Sequence, residues 1–451
     1  MELVCNWKGD ATALLVVFAT LLAPLEASAE VVTLAELETL ALENQANWEA
    51  AEAGSAQAGA RVDAARAGKM PTFWMNISGV VAPGSDIERI RTVDGREVNV
   101  RASPTVTEST AFRPNFRYEG TIDMRAPIYD GQNRAAIRAA EAYRAAAEAS
   151  SGATREMVLT MVRAAYLDWI ARHLTHELAV DSSEEAKAQR ERIEVRVADG
   201  DRAPAELATA RYEELQAGLV AADAKARVGA AKQLLESAVG TQLDANAEPD
   251  DSLLELDSLE HASDPEWEVE AFERQRDAAQ QEARMHRKGR VPVLAVVGQT
   301  GVAGVNERVF PMYRVGLNLA VPLWDGGRAL ALARAADAQA SELDARARNA
   351  RLSRGEDKDQ ALSDRENAEE QLALASSLVS VSETRVEQAQ TSFELGAGGI
   401  EAVADARTAL RDARSRRVQI QVARADAMLR LGSEQGSRIE TRTRPRANAL
   451  D

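Results

Sequence analysis

Between residues 116 and 126 the chain alternates by parity. Phe116, Tyr118, Gly120, Ile122, Met124 and Ala126 fall on one side; Arg117, Glu119, Thr121, Asp123 and Arg125 fall on the other. A second alternation begins at Tyr313. It sets Tyr313, Val315, Leu317, Leu319 and Val321 against Arg314, Gly316, Asn318 and Ala320. Successive side chains of a strand point to opposite faces, so both segments read as strands with one apolar and one polar face. Residues 72–82 alternate in part, with Phe73, Met75 and Ile77 opposed to Trp74, Asn76 and Ser78. The segment VLAVVGQTG, within an expected strand at 291–302, has no clear period. Four strands are therefore expected, at 72–82, 116–127, 291–302 and 312–322. Elsewhere Ala- and Arg-rich stretches predict helices near 132–197, 205–239, 327–394 and 401–431. A helix of about 65 residues is roughly 100 Å long, beyond the ordinary globular range, and signals a coiled coil or helical tube.

The order of these elements repeats. Residues 118–131 read YEGTIDMRAPIYDG and residues 313–326 read YRVGLNLAVPLWDG. Pro127 answers Pro322, Asp130 answers Asp325 and Gly131 answers Gly326. Further on, GDRAPAELATAR at 200–211 answers GAGGIEAVADAR at 396–407, with Gly200 and Gly396 opening each turn. Upstream, a helix around Trp48 leads to Pro71 and one around Trp267 leads to Pro292. Such ordered self-similarity marks an internal duplication. The chain divides into a signal at 1–29, a first repeat at 30–239, an acidic linker at 240–263, a second repeat at 264–432 and a tail at 433–451. Asp130 and Asp325 are placed as helix N-caps, and Gly131 and Gly326 as sharp turns. Tyr129 and Trp324 suit either an interfacial aromatic belt or packing at the strand-to-helix junction.

Strands of about ten residues with period-two amphipathicity suit a transmembrane barrel; half of a soluble sandwich is the other reading. Four strands do not close a barrel, since the smallest have about eight, and an open edge in lipid leaves backbone groups unpaired. Copies must then share one barrel. Eight strands leave little channel, so a transport role favours three copies or more.

Composition narrows the class. Aromatics are 4% and net charge is −17, which disfavours an aromatic-rich enzyme core and a nucleic-acid partner. Residues 11–23 are apolar, and Ala27-Ser28-Ala29 forms a small-x-small site, so cleavage before Glu30 is expected. The single cysteine, Cys5, lies in that signal. The mature chain then has no thiol chemistry and no disulfide. No later apolar run reaches the length of a membrane helix, so a membrane crossing would use strands.

With the duplicated P-[IL]-[YW]-D-G block and the paired Gly-turn motifs in this order, the chain resembles the TolC family of outer-membrane efflux and secretion channels. The resemblance covers nearly the whole mature chain. It implies a mainly α-helical protein with a transmembrane β-barrel: a trimer with a twelve-stranded barrel in outer-membrane lipid above a periplasmic helical tunnel. It implies no catalysis and no cofactor. The implied partners are a periplasmic adaptor and an inner-membrane RND or ABC transporter, for efflux or type I protein secretion. The family's inward-facing carboxylates at the tip map to Glu206 and Asp405. Its other second-turn acid falls on Ala402, with Glu401 adjacent. Acids at these positions also complement a helix N-terminus.

Metal chemistry has little support. His173, His176 and Glu177 share a helix but no HExxH pattern accompanies them. A periplasmic adaptor-like coiled-coil protein is the competing reading. Two hairpins and two pairs of amphipathic strands speak against it.

Overall fold

The computed structural model describes residues 31–83, 89–93, 96–100, 114–255, 267–305 and 308–440. The signal at 1–29, residues 256–263 of the linker and residues 441–451 of the tail lie outside the described residues. The elements run β1 (Val31–Val32), α1 (Leu34–Asn44), α2 (Ala46–Ala67), β2 (Thr72–Pro83), β3 (Arg89–Val93), β4 (Arg96–Val100) and β5 (Pro114–Asp130). Next come α3 (Gly131–Ala198), α4 (Pro204–Val239), β6 (Glu248–Pro249) and a 3-10 turn at Asp251–Glu255. The chain ends with α5 (Trp267–Lys288), β7 (Val293–Val305), β8 (Arg308–Ala320), α6 (Arg328–Glu394) and α7 (Ile400–Glu440). Among the described residues no helix is long and apolar enough to cross a membrane. The chain forms two compact units.

One unit holds residues 50–153 and 266–353. Its centre is an antiparallel sheet of four strands in the order β2-β5-β7-β8. The second pair of strands is shifted from the expected bounds. Residues 291–302 and 312–322 were the expectation; the strands are Val293–Val305 and Arg308–Ala320. They end before Pro322, which has no N–H to donate to a ladder. They also pair out to Val305 and Arg308, so Ala303 and Pro311 lie in strands rather than in a loop. The segment between Pro83 and Pro114, where no strand was expected, contains the paired strands β3 and β4.

The described residues of the other unit fall within 31–49, 154–255 and 354–440. Its core gathers Leu37, Val158, Val162, Tyr166, Trp169, Ile170, Leu235, Val239 and Met428. Tyr166 Oη donates to the carbonyl of Val32 at 2.8 Å and accepts from Asp250 N at 2.9 Å, which fixes the ends of the parallel pair β1–β6. That pair includes Glu248 and Pro249, so the linker at 240–263 is partly ordered into this core. α7 continues to Glu440, eight residues into the segment read as tail.

The long helices bury small residues at a strict interval. Ala210, Ala217, Ala224 and Ala231 of α4 are buried, as are Ala361, Ala368, Ala375 and Ser382 of α6. A seven-residue spacing of this kind gives a left-handed coiled seam, and alanine lets the helix axes come close.

Candidate functional site: the sheet faces and the hairpin tips

The register of the sheet sorts every strand by face. Met75 opposes Ile122, which opposes Thr300, which opposes Tyr313. On the same face Phe73, Ile77, Phe116, Tyr118 and Met124 continue across to Val296, Val302, Val315, Leu317 and Leu319. This face is apolar on all four strands and open: Ile77 is 77%, Leu317 72% and Val315 81% exposed. An exposed apolar surface of this extent does not face water in a soluble monomer. The opposite face carries Asn76, Arg117, Glu119, Thr121, Asp123, Gln299, Arg314 and Asn318. There Asn76 Nδ2 donates to Asp123 Oδ2 at 2.6 Å and Arg314 Nη2 donates to Gln299 Oε1 at 2.7 Å. The register also settles β7. Leu294, Val296, Thr300 and Val302 share the apolar face, while Ala295, Val297 and Gln299 share the polar one.

Near the end of β5 a bulge between Pro127 and Tyr129 shifts the register against β7, and the pairing continues to Asp130 and Val293. Asp130 Oδ1 then accepts from Asn133 N at 2.8 Å. In the second copy Asp325 accepts from Gly327 N at 3.0 Å and from Ala329 N at 2.9 Å. The two glycines differ. Gly326 and Gly327 have positive φ, 66° and 83°, and make the turn. Gly131 is not a left-handed turn residue: it begins α3 itself. Its need for glycine is spatial, since a Cβ there would lie 3.1 Å from Val291 Cγ1.

The two hairpin turns belong to the other unit. Gly200 and Gly396 both have positive φ, 82° and 73°, and let the chain reverse after α3 and α6. Ile193, Ala210, Phe393, Ile400 and Val403 pack together behind the turns. Arg202 ties one turn to the other. Its Nη2 donates to the carbonyl of Phe393, and its guanidinium lies 4.2 Å from the centroid of that ring. Glu206, in the first turn of α4, stands 3.6 Å from Arg202 Nη1. Its Oε2 is buried without a hydrogen bond.

Glu401 and Asp405 are exposed on α7. Across from them on α4 is Glu213, a residue the turn motifs do not single out. Burial pushes its carboxyl up to about 7; Arg407 opposes the rise, and Asp405 and Glu401 add to it. Arg407 is held elsewhere: its Nη1 donates to the carbonyl of Glu185 at 3.5 Å. Burial pulls its guanidinium below the usual range. The structure thus groups Glu213 with Glu401 and Asp405, and places Glu206 against Arg202. Among the described residues no cluster of His, Cys, Asp or Glu has the arrangement of a metal site.

A duplicated hairpin protein with an amphipathic strand pair in each repeat defines the class of outer-membrane channel-forming chains. The profile of the outer membrane efflux protein family matches residues 37–241 and 262–436, and the chain belongs to that family. It is a transport conduit family rather than an enzyme family. No curated protein sequence matches the chain. Among solved structures, the outer membrane protein VceC of Vibrio cholerae superposes with a TM-score of 0.70 at 18% identity, covering 89% of this chain and 96% of that one. The CmeC outer membrane channel of Campylobacter jejuni gives 0.70 at 17% identity, over 91% of this chain and 88% of that one. The open state of the MtrE outer membrane channel of Neisseria gonorrhoeae gives 0.69 at 16% identity, over 89% and 88%.

Proposed function

We propose that this chain is one subunit of a homotrimeric conduit that carries solutes out across the outer membrane. The carrying observation is the sheet: apolar and exposed on one face, polar on the other, with β2 and β8 left as open edges. Such edges in lipid must be paired. Pairing β8 of one copy with β2 of the next satisfies both, and three copies give a twelve-stranded ring with the polar face inward. The hairpins of the repeats at 30–239 and 264–432 then form the periplasmic tunnel. Pro127, Asp130, Gly131, Pro322, Asp325 and Gly326 fix the angle between strands and helices.

In this reading the turns at Gly200 and Gly396 are the periplasmic entrance. Glu206, Glu401 and Asp405 recur around one axis; exposed Glu401 and Asp405 draw cations to it, and Glu206, against Arg202, shapes its wall. A periplasmic adaptor and an inner-membrane pump of the RND or ABC type supply substrate and energy. The passage serves efflux or type I secretion.

The mass of the detergent-extracted assembly tests the shared barrel. Three chains per particle is the expected result, and a monodisperse single chain would contradict it. Replacing Glu401 and Asp405 together by Ala tests the entrance. The expected outcome is a shift of reversal potential toward lower cation selectivity in a salt gradient. An unchanged current–voltage curve from a normally assembled variant rejects the role of these acids.

A further inference from the structure

α5 and α6 run antiparallel and are joined by a ladder of ion pairs. Arg287 meets Asp337, Arg276 meets Asp344 at 3.3 Å, and Arg351 meets Glu273. One rung is missing. Between the first two pairs, Arg284 and Gln280 of α5 and Ser341 of α6 line the same cleft, of about 600 Å³. Arg284 is exposed and, among the described residues, pairs with no carboxylate. The neighbouring carboxylates are already engaged: Asp337 by Arg287, and Asp344 by both Arg276 and Arg348. The cleft is therefore open, carries a cation without a counter-ion, and offers an amide beside it, in a chain whose net charge is −17.

We propose that this cleft binds a phosphate-class anion, with the Arg284 guanidinium as its principal partner. A planar fork of N–H donors matches two oxygens of a phosphate at once. The position suggests where such a group comes from. α5 ends at Lys288, shortly before β7 begins at Val293, so the cleft leads toward the base of the apolar sheet face; there Lys288 is exposed, while Arg287 and Arg290 are paired with Asp337 and Asp325. The headgroups of the periplasmic leaflet lie at that level if the sheet spans the outer membrane. Basic pockets beside a bilayer recruit anionic headgroups. A phospholipid phosphate and a free inorganic phosphate share the required chemistry.

The test uses the full assembled protein. Native mass spectrometry after reconstitution in phosphatidylcholine with phosphatidylglycerol, against phosphatidylcholine alone, counts retained anionic lipid per chain. Calorimetric titration of the detergent-solubilised protein with inorganic phosphate reads the soluble source. Two variants accompany it. Arg284→Ala removes the unpaired cation, and Ser341→Asp supplies the missing carboxylate of the ladder. Both should weaken the anion about tenfold or more, and Ser341→Asp should also raise the thermal midpoint. Retained phosphatidylglycerol lost in both variants supports the lipid headgroup as ligand. Phosphate binding lost in both, with no retained lipid, supports the soluble anion. Binding of neither anion, or binding equal in wild type and both variants, overturns the proposal. The assembly mass of each variant shows whether it has folded.

Discussion

Arg202 reaches from the turn after α3 to the last turn of α6, where it donates to the carbonyl of Phe393 and stacks on its ring at 4.2 Å. This contact joins the two hairpin tips of one chain, and Glu206 lies against the same guanidinium. Arg202→Ala removes a charge-assisted hydrogen bond and a cation–π contact together, worth about 2–4 kcal/mol in a half-buried setting. The expected outcome is looser tips, read as faster hydrogen exchange at 193–210 and 389–403. Exchange equal to wild type at both turns would show that Arg202 does not hold them. Arg202→Lys should rescue little, because an ammonium lacks the planar fork.

Glu213 makes the tips sensitive to pH. Its carboxyl is raised from 4.5 to about 7, mainly by burial. In the interval between those values the folded state holds a proton that the unfolded chain releases. This contribution to stability is complete below 4.5 and is lost as pH rises through about 7. Glu213→Gln removes the titration. Its thermal midpoint should fall less than that of wild type between the two pH values, and a parallel pair of curves would refute the assignment. The groups facing Glu213 are Glu401, Asp405 and Arg407. Asp405→Asn should therefore lower the Glu213 midpoint.

The two faces of the sheet are told apart by neighbouring residues on β8. Leu317 lies on the apolar face and Asn318 on the polar one. At the middle of a bilayer, Leu317→Arg should cost about 2–4 kcal/mol and Asn318→Arg much less. Quantifying the folded fraction after refolding into vesicles, at graded urea, separates them. Equal losses would count against a lipid-facing sheet.

Trp267 packs on Gly152 so closely that a Cβ at position 152 would lie 2.4 Å from its indole. Gly152→Val forces the ring aside, an overpacking that costs about 1–3 kcal/mol. Quenching of Trp267 fluorescence by acrylamide should rise in the variant. No rise would mean that the helices shift instead of the ring.

The strands with sharp alternation were legible from residue order, because Arg117, Asp123 and Arg314 cannot share a face with Ile122 and Leu317 without mixing polarity. β7 was not. Ala295 and Val297 face the polar side yet are apolar, so only pairing with β5 and β8 separates the faces. The long helices were visible through their alanines, and the duplication fixed their order. The two-residue strands β1 and β6 leave no periodic trace, since their pairing rests on Tyr166. Gly131 and Gly326 look equivalent in the motif, but one opens a helix and the other makes a turn. At the tips, Glu206 and Asp405 were carried over from the family resemblance, with Glu401 added as the neighbour of Ala402. Arg202 and Glu213 were missed because their significance comes from partners about 190 residues away in the chain.

The central claim is that copies of this chain enclose a water-filled passage with the polar sheet face toward it. Single-channel recording of the purified protein in a planar lipid bilayer tests it most directly. Discrete conductance steps with cation selectivity are expected, and their selectivity should change when Arg117, Asp123 or Arg314 is replaced and stay constant when exposed Val315 is replaced by Leu. A protein that inserts in assembled form yet gives no steps, or steps indifferent to all three polar-face changes, would contradict the claim.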